Sequence, residues 1–349
     1  MPVTIYDIAK KASVGVGTVS RVLNNHPNVS SKTRERVLKV AHELNYQPHA
    51  FAQGLARKKT NTIAAIIPFF TNYFFLEVLQ GIQDKMLTLG YDMMLYGLNE
   101  NDPEQIENYL LRATQKGRAD GVMLFSLRLP ETLGEKYKHI NQPMVLVDCY
   151  HPDFDSITVD NKAGAYAATK HLIDVGHTRI GMINANPISP PAQHRFAGYK
   201  TALLENGLPY NDKLCKSSKI MKYDGFSREA GYVSMIEMLD LPAGERPTAI
   251  FVSSDVQAMG ALSAMKDHNL KAPDDIAIVG YDDIEIAQHI GLTTVGQPMY
   301  EMGVLSVGRM LDRLANRNGS VTHTSFTPKL IIRETCGHRE TQQIQVSQQ

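Results

Sequence analysis

The sequence predicts an α/β protein in which a small basic head of three helices, containing a helix-turn-helix, precedes a larger body of parallel sheets. Two observations carry this. From residue 62 onward, short β-branched apolar runs alternate with helical stretches, the pattern of parallel strands joined by crossover helices. The first 60 residues hold ten lysines and arginines against three acids, whereas the whole chain balances 36 basic with 36 acidic residues. A basic head on an acidic body suits a polyanionic partner, and the plain alternative is a solvated basic face.

At 349 residues and 43% apolar content, the chain is long enough for two or three domains with real cores. That composition excludes disordered, collagenous and disulfide-scaffold classes. Cys149, Cys215 and Cys336 are odd in number and far apart, so neither a zinc clasp nor a bridge framework is indicated, and a reducing cytoplasm is the expected setting. The opening Met1-Pro2-Val3-Thr4 has no secretory pattern, and no apolar run reaches the ~18 residues of a membrane helix. Asn28-Val29-Ser30 and Asn318-Gly319-Ser320 match the glycosylation pattern by chance if the chain is not exported.

Thr4-Ile5-Tyr6-Asp7 opens a first helix as a capping box, with Thr4 placed to accept an orphan N–H, and the helix runs to about Ala12. Ser13-Val14-Gly15 interrupts it. Residues 16–23 form a second helix with Val19, Val22 and Leu23 at helical spacing, closed by Asn24-Asn25-His26-Pro27. A third starts at Ser30 or Ser31, keeps Val37, Val40, Ala41 and Leu44 on one face, and stops at Asn45-Tyr46-Gln47-Pro48. In a helix-turn-helix the second of these lies in the major groove, exposing Val16, Gly17, Ser20 and Arg21 to base edges. A plain three-helix packing unit would show the same periodicity. The charge favours DNA.

Ile5-Tyr6-Asp7-Ile8-Ala9, the run Gly17 to Asn24, and Leu44-Asn45-Tyr46-Gln47-Pro48 resemble the headpiece of LacI/GalR-type transcriptional regulators. The resemblance continues through Ala119-Asp120-Gly121, Val159-Asp160-Asn161, Gly176-His177, the run Arg195 to Tyr199, Ser253-Ser254-Asp255 and Val279 to Asp283, covering about residues 4–335. It implies DNA contacts at Thr4, Val16, Gly17, Thr18, Ser20, Arg21 and Asn24. Residues 48–60 then become a hinge segment that folds on operator DNA, with Ala52 and Leu55 at its minor-groove positions. Alone, so short a segment containing Gly54 is a marginal helix in water. The expected division is a headpiece at 1–47, the hinge and linker at 48–60, an effector-binding and dimerisation body at 61–337, and a tail at 338–349.

In the body, strands are expected at 62–68, 91–96, 121–126, 144–148, 180–184, 249–253 and 276–281. Helices are expected at 74–89, 103–115, 162–175, 195–206, 229–239 and 256–268. The length argues for two sheets, with a break at 148–160 as the lobe boundary. The resemblance implies the two lobes of a type I periplasmic binding protein, crossovers near 160 and 290, and a segment at 299–320 returning to the first lobe. Ligands of doubly wound sheets bind at the carboxyl ends of strands. Those ends offer Tyr73, Phe74, Ser126, Asp148, Ser254, Asp255 and Asp282, with Arg195 opening a helix and Phe226 in a Gly-rich approach to another.

By resemblance, Arg195 and Asp282 hold the effector's polar groups and Phe226 stacks on its ring. Tyr73, Phe74, Ser126, Asp148 and Asp160 become pocket neighbours. Each has a bland alternative: Arg195 as an ion-pair partner, Phe226 as core, Asp255 as a helix N-cap. Pro187-Ile188-Ser189-Pro190-Pro191, just before Arg195, departs from the polar contacts that relatives place there. A small polar ring compound between Arg195 and Asp282, a sugar or sugar derivative before a purine base, is the expected effector.

Enzyme readings fail on the residues. Gly15-Val16-Gly17 lacks a third glycine at Ser20, there is no phosphate loop, His42-Glu43 has Tyr46 where a zinc helix needs histidine, and no Gly-x-Ser-x-Gly elbow occurs. No metal or cofactor is expected. The chain reads as a non-enzymatic, effector-controlled regulator, a repressor, binding an inverted-repeat duplex as a homodimer, because one headpiece offers too few base contacts and two-fold proteins read two-fold sites, while the tail after Arg339 lacks the leucine heptads of a tetramerising helix. The competing reading is a cytoplasmic small-molecule receptor or enzyme whose basic head only packs or oligomerises.

Overall fold

The computed structural model describes residues 3–46, 59–68, 72–98, 103–115, 117–129, 131–137, 142–220 and 222–337. The head consists of α1 (Ile5–Ala12), α2 (Val16–Leu23) and α3 (Ser31–Glu43). The Thr4 N–H and hydroxyl both donate to Asp7 Oδ2, at 2.8 and 2.7 Å, closing the first turn of α1. Ser13 takes a left-handed backbone at φ 52°, and its N–H returns to the last carbonyls of α1, which makes the tight turn into α2. Ile8, Ala9, Ala12, Val19, Val22, Val37, Val40 and Ala41 bury one small core between the three helices. Ser30 caps α3 through the Thr33 N–H, and Arg34 binds both Asn25 Oδ1 and the His26 carbonyl at 2.6 Å, pinning the loop from α2 to α3.

The body holds two six-stranded sheets. The first has β1 (Thr62–Pro68), β2 (Asp92–Leu98), β3 (Gly121–Phe125), β4 (Met144–Val147), β5 (Asp155–Val159) and β11 (His323–Phe326), in the order β11-β5-β4-β3-β1-β2. The second has β6 (Ile180–Asn184), β7 (Cys215–Ser217), β8 (Ala249–Val252), β9 (Ala277–Asp282), β10 (Thr293–Gly296) and β12 (Lys329–Ile331), in the order β12-β10-β9-β8-β6-β7. All pairings are parallel except β10 with β12. Central strands such as β3, β6 and β9 are buried along their whole length, as expected of parallel strands covered on both faces.

The stretch 148–160 is more than a boundary. It contains β5, whose Asp155 and Ser156 are polar yet buried, Asp155 being held by Arg313 and the Thr322 N–H and Ser156 by His323. Paired polar groups can be buried at little net cost, and an apolar scan does not see them. The chain passes from the first sheet to the second after β5, returns after β10 along the helix Met299–Ala315, and crosses again between Phe326 and Lys329. That returning helix packs on Tyr73–Leu89 through two glycines. A Cβ on Gly81 would stand 2.1 Å from the Tyr300 carbonyl, and one on Gly303 2.1 Å from the Val78 carbonyl.

Candidate functional site

The carboxyl ends of the two sheets face each other across a cleft. From the first lobe come Pro68, Asn72, Phe74, Phe75, Ser126 and Asp148, and from the second Ser189, Pro191, Arg195, Tyr223, Asp224, Phe226, Ser254, Val256 and Asp282. Several of these residues sit in a left-handed backbone: Ser126 at φ 44°, Asp148 at 55°, Tyr223 at 55° and Asp224 at 49°, while Asp282 stands at 118°. Such backbone costs energy in non-glycine residues and concentrates where side chains must be aimed at a site.

Arg195 is the most constrained cation of the cleft. Its Nε donates to Asn161 Oδ1 at 2.7 Å, its Nη1 donates to the Ser253 carbonyl at 2.5 Å, and its guanidinium lies 3.7 Å from the centre of the Tyr281 ring and 5.5 Å from that of Phe226. Asp282 Oδ1 is 3.5 Å from Arg195 Nη1 and accepts from Gln297 Nε2 at 2.7 Å. Burial pushes the Asp282 carboxyl up to about 7, against the opposing pull of Arg195 and Gln297. Burial likewise raises Asp148, whose Oδ2 accepts from the Ser126 hydroxyl, and raises Asp255 well above the carboxylate range, with Asp282 adding repulsion.

Phe74, Ser126, Asp148, Arg195, Phe226 and Asp282 therefore come together in the cleft, but three expectations and one of the alternatives need correction. Arg195 does not open its helix, which spans Pro190–Glu205 with Ser189 before it. The prolines form its first turn, where their missing N–H groups have no helical partner to lose, and Ser189 and Pro191 line the cleft. Tyr73 is 40% exposed and faces a neighbouring groove with Tyr223, Arg228 and Tyr232. Asp160 is an exposed N-cap whose carboxylate accepts from the Ala163 N–H. The cap before Asp255 is Ser254; Asp255 itself is fully buried and accepts from the Ile284 N–H and the Thr294 hydroxyl.

Because Arg195 Nη1 and Asp282 Oδ1 are 3.5 Å apart, the two side chains leave no room for a ring between them, contrary to the expected placement. Sequence reasoning missed Tyr223 and Asp224, which follow one another in left-handed backbone before Gly225 at φ 85°. The Asp224-Gly225 dipeptide was the available turn signal. Asp224 Oδ2 accepts from Arg128 Nη1 of the first lobe at 2.9 Å.

On the head, Thr4, Gly17 and Arg21 are exposed, whereas Thr18, Ser20 and Asn24 are half-buried. Val16, expected on the outer face, is half-buried and packs against the head's core. Asn24 Nδ2 donates to the Ser20 carbonyl at 3.0 Å, closing α2. Tyr6, not among the expected contacts, is 69% exposed on α1. Ala52 and Leu55 lie outside the described residues. Among the described residues no three His, Cys, Asp or Glu are placed to hold a metal, and no helix is long and apolar enough to cross a membrane.

A helix-turn-helix joined to a two-lobed body with a cleft at its strand ends defines a DNA-binding regulator with a ligand-binding body. Residues 4–49 match the bacterial regulatory proteins of the lacI family, and residues 169–336 match a periplasmic binding protein-like domain. Catabolite control protein A of Priestia megaterium is 35% identical over 323 residues, covering 91% of this chain and 94% of that one. The HTH-type transcriptional repressor CytR of Escherichia coli strain K12 is 34% identical over 334 residues, covering 95% of each. The lac repressor dimer bound to operator and the anti-inducer ONPF superposes with a TM-score of 0.81 at 29% identity, over 96% of this chain and 99% of that one. The chain belongs to the LacI family; it is a DNA-binding transcriptional repressor and not an enzyme.

Proposed function

We propose that two copies of this chain hold an inverted-repeat operator in the cytoplasm and that a neutral, hydroxyl-rich ring compound, a sugar or sugar derivative, bound in the cleft alters that hold. The observation carrying the effector class is the acceptor-rich wall. Asp148, Asp224 and Asp282 line the cleft with Arg195 as the counter-cation, so the wall has many sites for O–H donors and little charge to welcome an anion. Phe74 and Phe226 supply apolar faces for a ring's C–H surface. Arg195 donates to ring or hydroxyl oxygens, while Asp282 accepts from neighbouring hydroxyls.

In the head, Arg21 and Gly17 meet base edges and Thr4 meets the backbone, with Thr18, Ser20 and Asn24 beside them. Val16 contributes mainly to packing. Ala52 and Leu55 are assigned to the minor groove between the half-sites. A ligand that closes the lobes changes DNA affinity only through its different affinity for the two lobe arrangements.

The test has two stages. Selection from random duplexes with the full chain should recover an inverted repeat, with affinity falling steeply as salt rises because phosphate contacts release counterions. Calorimetry against neutral sugars and nucleobases should then find a sugar that binds the native chain, changes operator affinity, and is lost in Arg195→Ala and Asp282→Ala. A nucleobase as the responding ligand would overturn the carbohydrate assignment, and an affinity indifferent to both substitutions would place the pocket elsewhere.

A further inference from the structure

We propose that Asp120 is a positioning residue for DNA recognition: its carboxylate clamps the end of the linker to the first lobe and fixes the direction in which the headpiece leaves the body. Asp120 Oδ1 accepts from the Thr60 N–H at 2.7 Å and the Thr60 hydroxyl at 2.9 Å, and its Oδ2 accepts from the Asn61 N–H at 2.8 Å. Both carboxylate oxygens thus engage two consecutive peptide units, which fixes rotation as well as position. The flanking strands complete the grip. The Asp120 N–H donates to the Thr62 carbonyl at 2.7 Å, and the Asp92 N–H donates to the Asn61 carbonyl at 2.8 Å.

Asn61 stands in left-handed backbone at φ 51°, turning the chain at this point, and the Lys59 ammonium lies 5.1 Å from the centre of the Tyr91 ring. The clamped donors belong to residues before β1, which begins at Thr62. Water would satisfy them if the segment were free, so the sheet itself does not require the clamp. The chain joins α3 to this point through residues 44–59. Whatever geometry the lobe imposes on the head through the chain is imposed at Thr60 and Asn61.

This inference rests on the reading that two copies hold an inverted repeat, and half-site spacing is the readout that a merely structural role would not move. The probes are the duplex selected by the native full-length chain and versions with one or two base pairs added or removed at its centre. The native chain should prefer the selected spacing by about tenfold or more, and Asp120→Ala should compress that preference to about threefold or less as the tether loosens. Asp120→Asn, which keeps one acceptor oxygen, should restore part of it.

Thr60→Pro removes both Thr60 donors to Asp120 and leaves the Asn61 one, so it should compress the spacing preference part of the way and decides the matter if Asp120→Ala fails to fold. Native spacing preference in variants that melt like the native chain would overturn the clamp alone. Failure of the native chain to select any inverted repeat would overturn the dimeric reading, and this proposal with it.

Discussion

Arg128 Nη1 lies 2.9 Å from Asp224 Oδ2, and this ion pair joins the first lobe to the second at the wall of the cleft. Asp224 is almost wholly buried and Arg128 only partly, so the pair keeps more of its Coulomb energy than a surface bridge does. It rests on an expensive turn. Tyr223 and Asp224 both hold left-handed backbone to aim the carboxylate at the opposite lobe. This pair is one of the contacts that join the lobes, beside the apolar cluster they share, and removing it should favour a more open arrangement.

Arg128→Ala should shift the balance towards open lobes by about 1–2 kcal/mol, the range for a partly buried pair. Small-angle scattering of the ligand-free chain is the measurement, with a larger radius of gyration expected. An unchanged radius would show that other contacts hold the lobes together.

The pH response of Asp282 has a definite sign. Its carboxyl is raised from 3.8 to about 7, so between those values the folded chain binds a proton that the unfolded chain has lost. Stability from this group therefore falls as pH rises from about 4 to about 7 and levels off above. Asp282→Asn should gain on the native chain across that window, by on the order of 2–4 kcal/mol, in denaturant midpoints converted with matched slopes. A difference independent of pH would mean that Asp282 titrates normally.

Gly81→Ala should destabilise the first lobe by about 1–3 kcal/mol, because the new methyl meets a backbone carbonyl that cannot swing aside. Gly303→Ala should do the same from the other helix, and the double variant should cost less than the sum, since one separation of the helices relieves both clashes. Thermal unfolding of the three variants checks this.

Arg21→Ala should weaken binding to the selected duplex by about 1–3 kcal/mol and relax preference at one base position, the behaviour of an arginine at a base edge. Equal losses on selected and random duplexes would make it a phosphate contact instead.

Much of this architecture is legible in the residues because burial follows periodicity. The head's core falls at the helical positions that its valines and alanines mark, and the central strands are continuous apolar runs. What escapes is structure made by pairing. β5, β11 and β12 carry Asp155, Ser156, His323, Thr324 and Lys329, and they are strands because neighbours hydrogen-bond to them. Among the site residues, Arg195, Asp282, Phe226, Phe74, Ser126 and Asp148 converge because they end strands or face them. Asp160 looked similar by position, yet its carboxylate is used by its own helix. Tyr223 and Asp224 were hidden because a left-handed pair of ordinary residues leaves no mark except the following glycine.

The last passage of the chain between sheets, from Phe326 to Lys329, bears on how the molecule is made. β11 is an edge of one sheet and β12 an edge of the other, so a ribosome cannot finish either lobe until it has read through residues 323–331. The head closes its own core from residues 5–46 alone. During synthesis, then, a folded helix-turn-helix emerges long before the body is finished, and a nascent chain stalled anywhere before residue 323 carries that unit with two unfinished lobes. Loss of nine residues, 323–331, would leave both sheets with a bare edge at once.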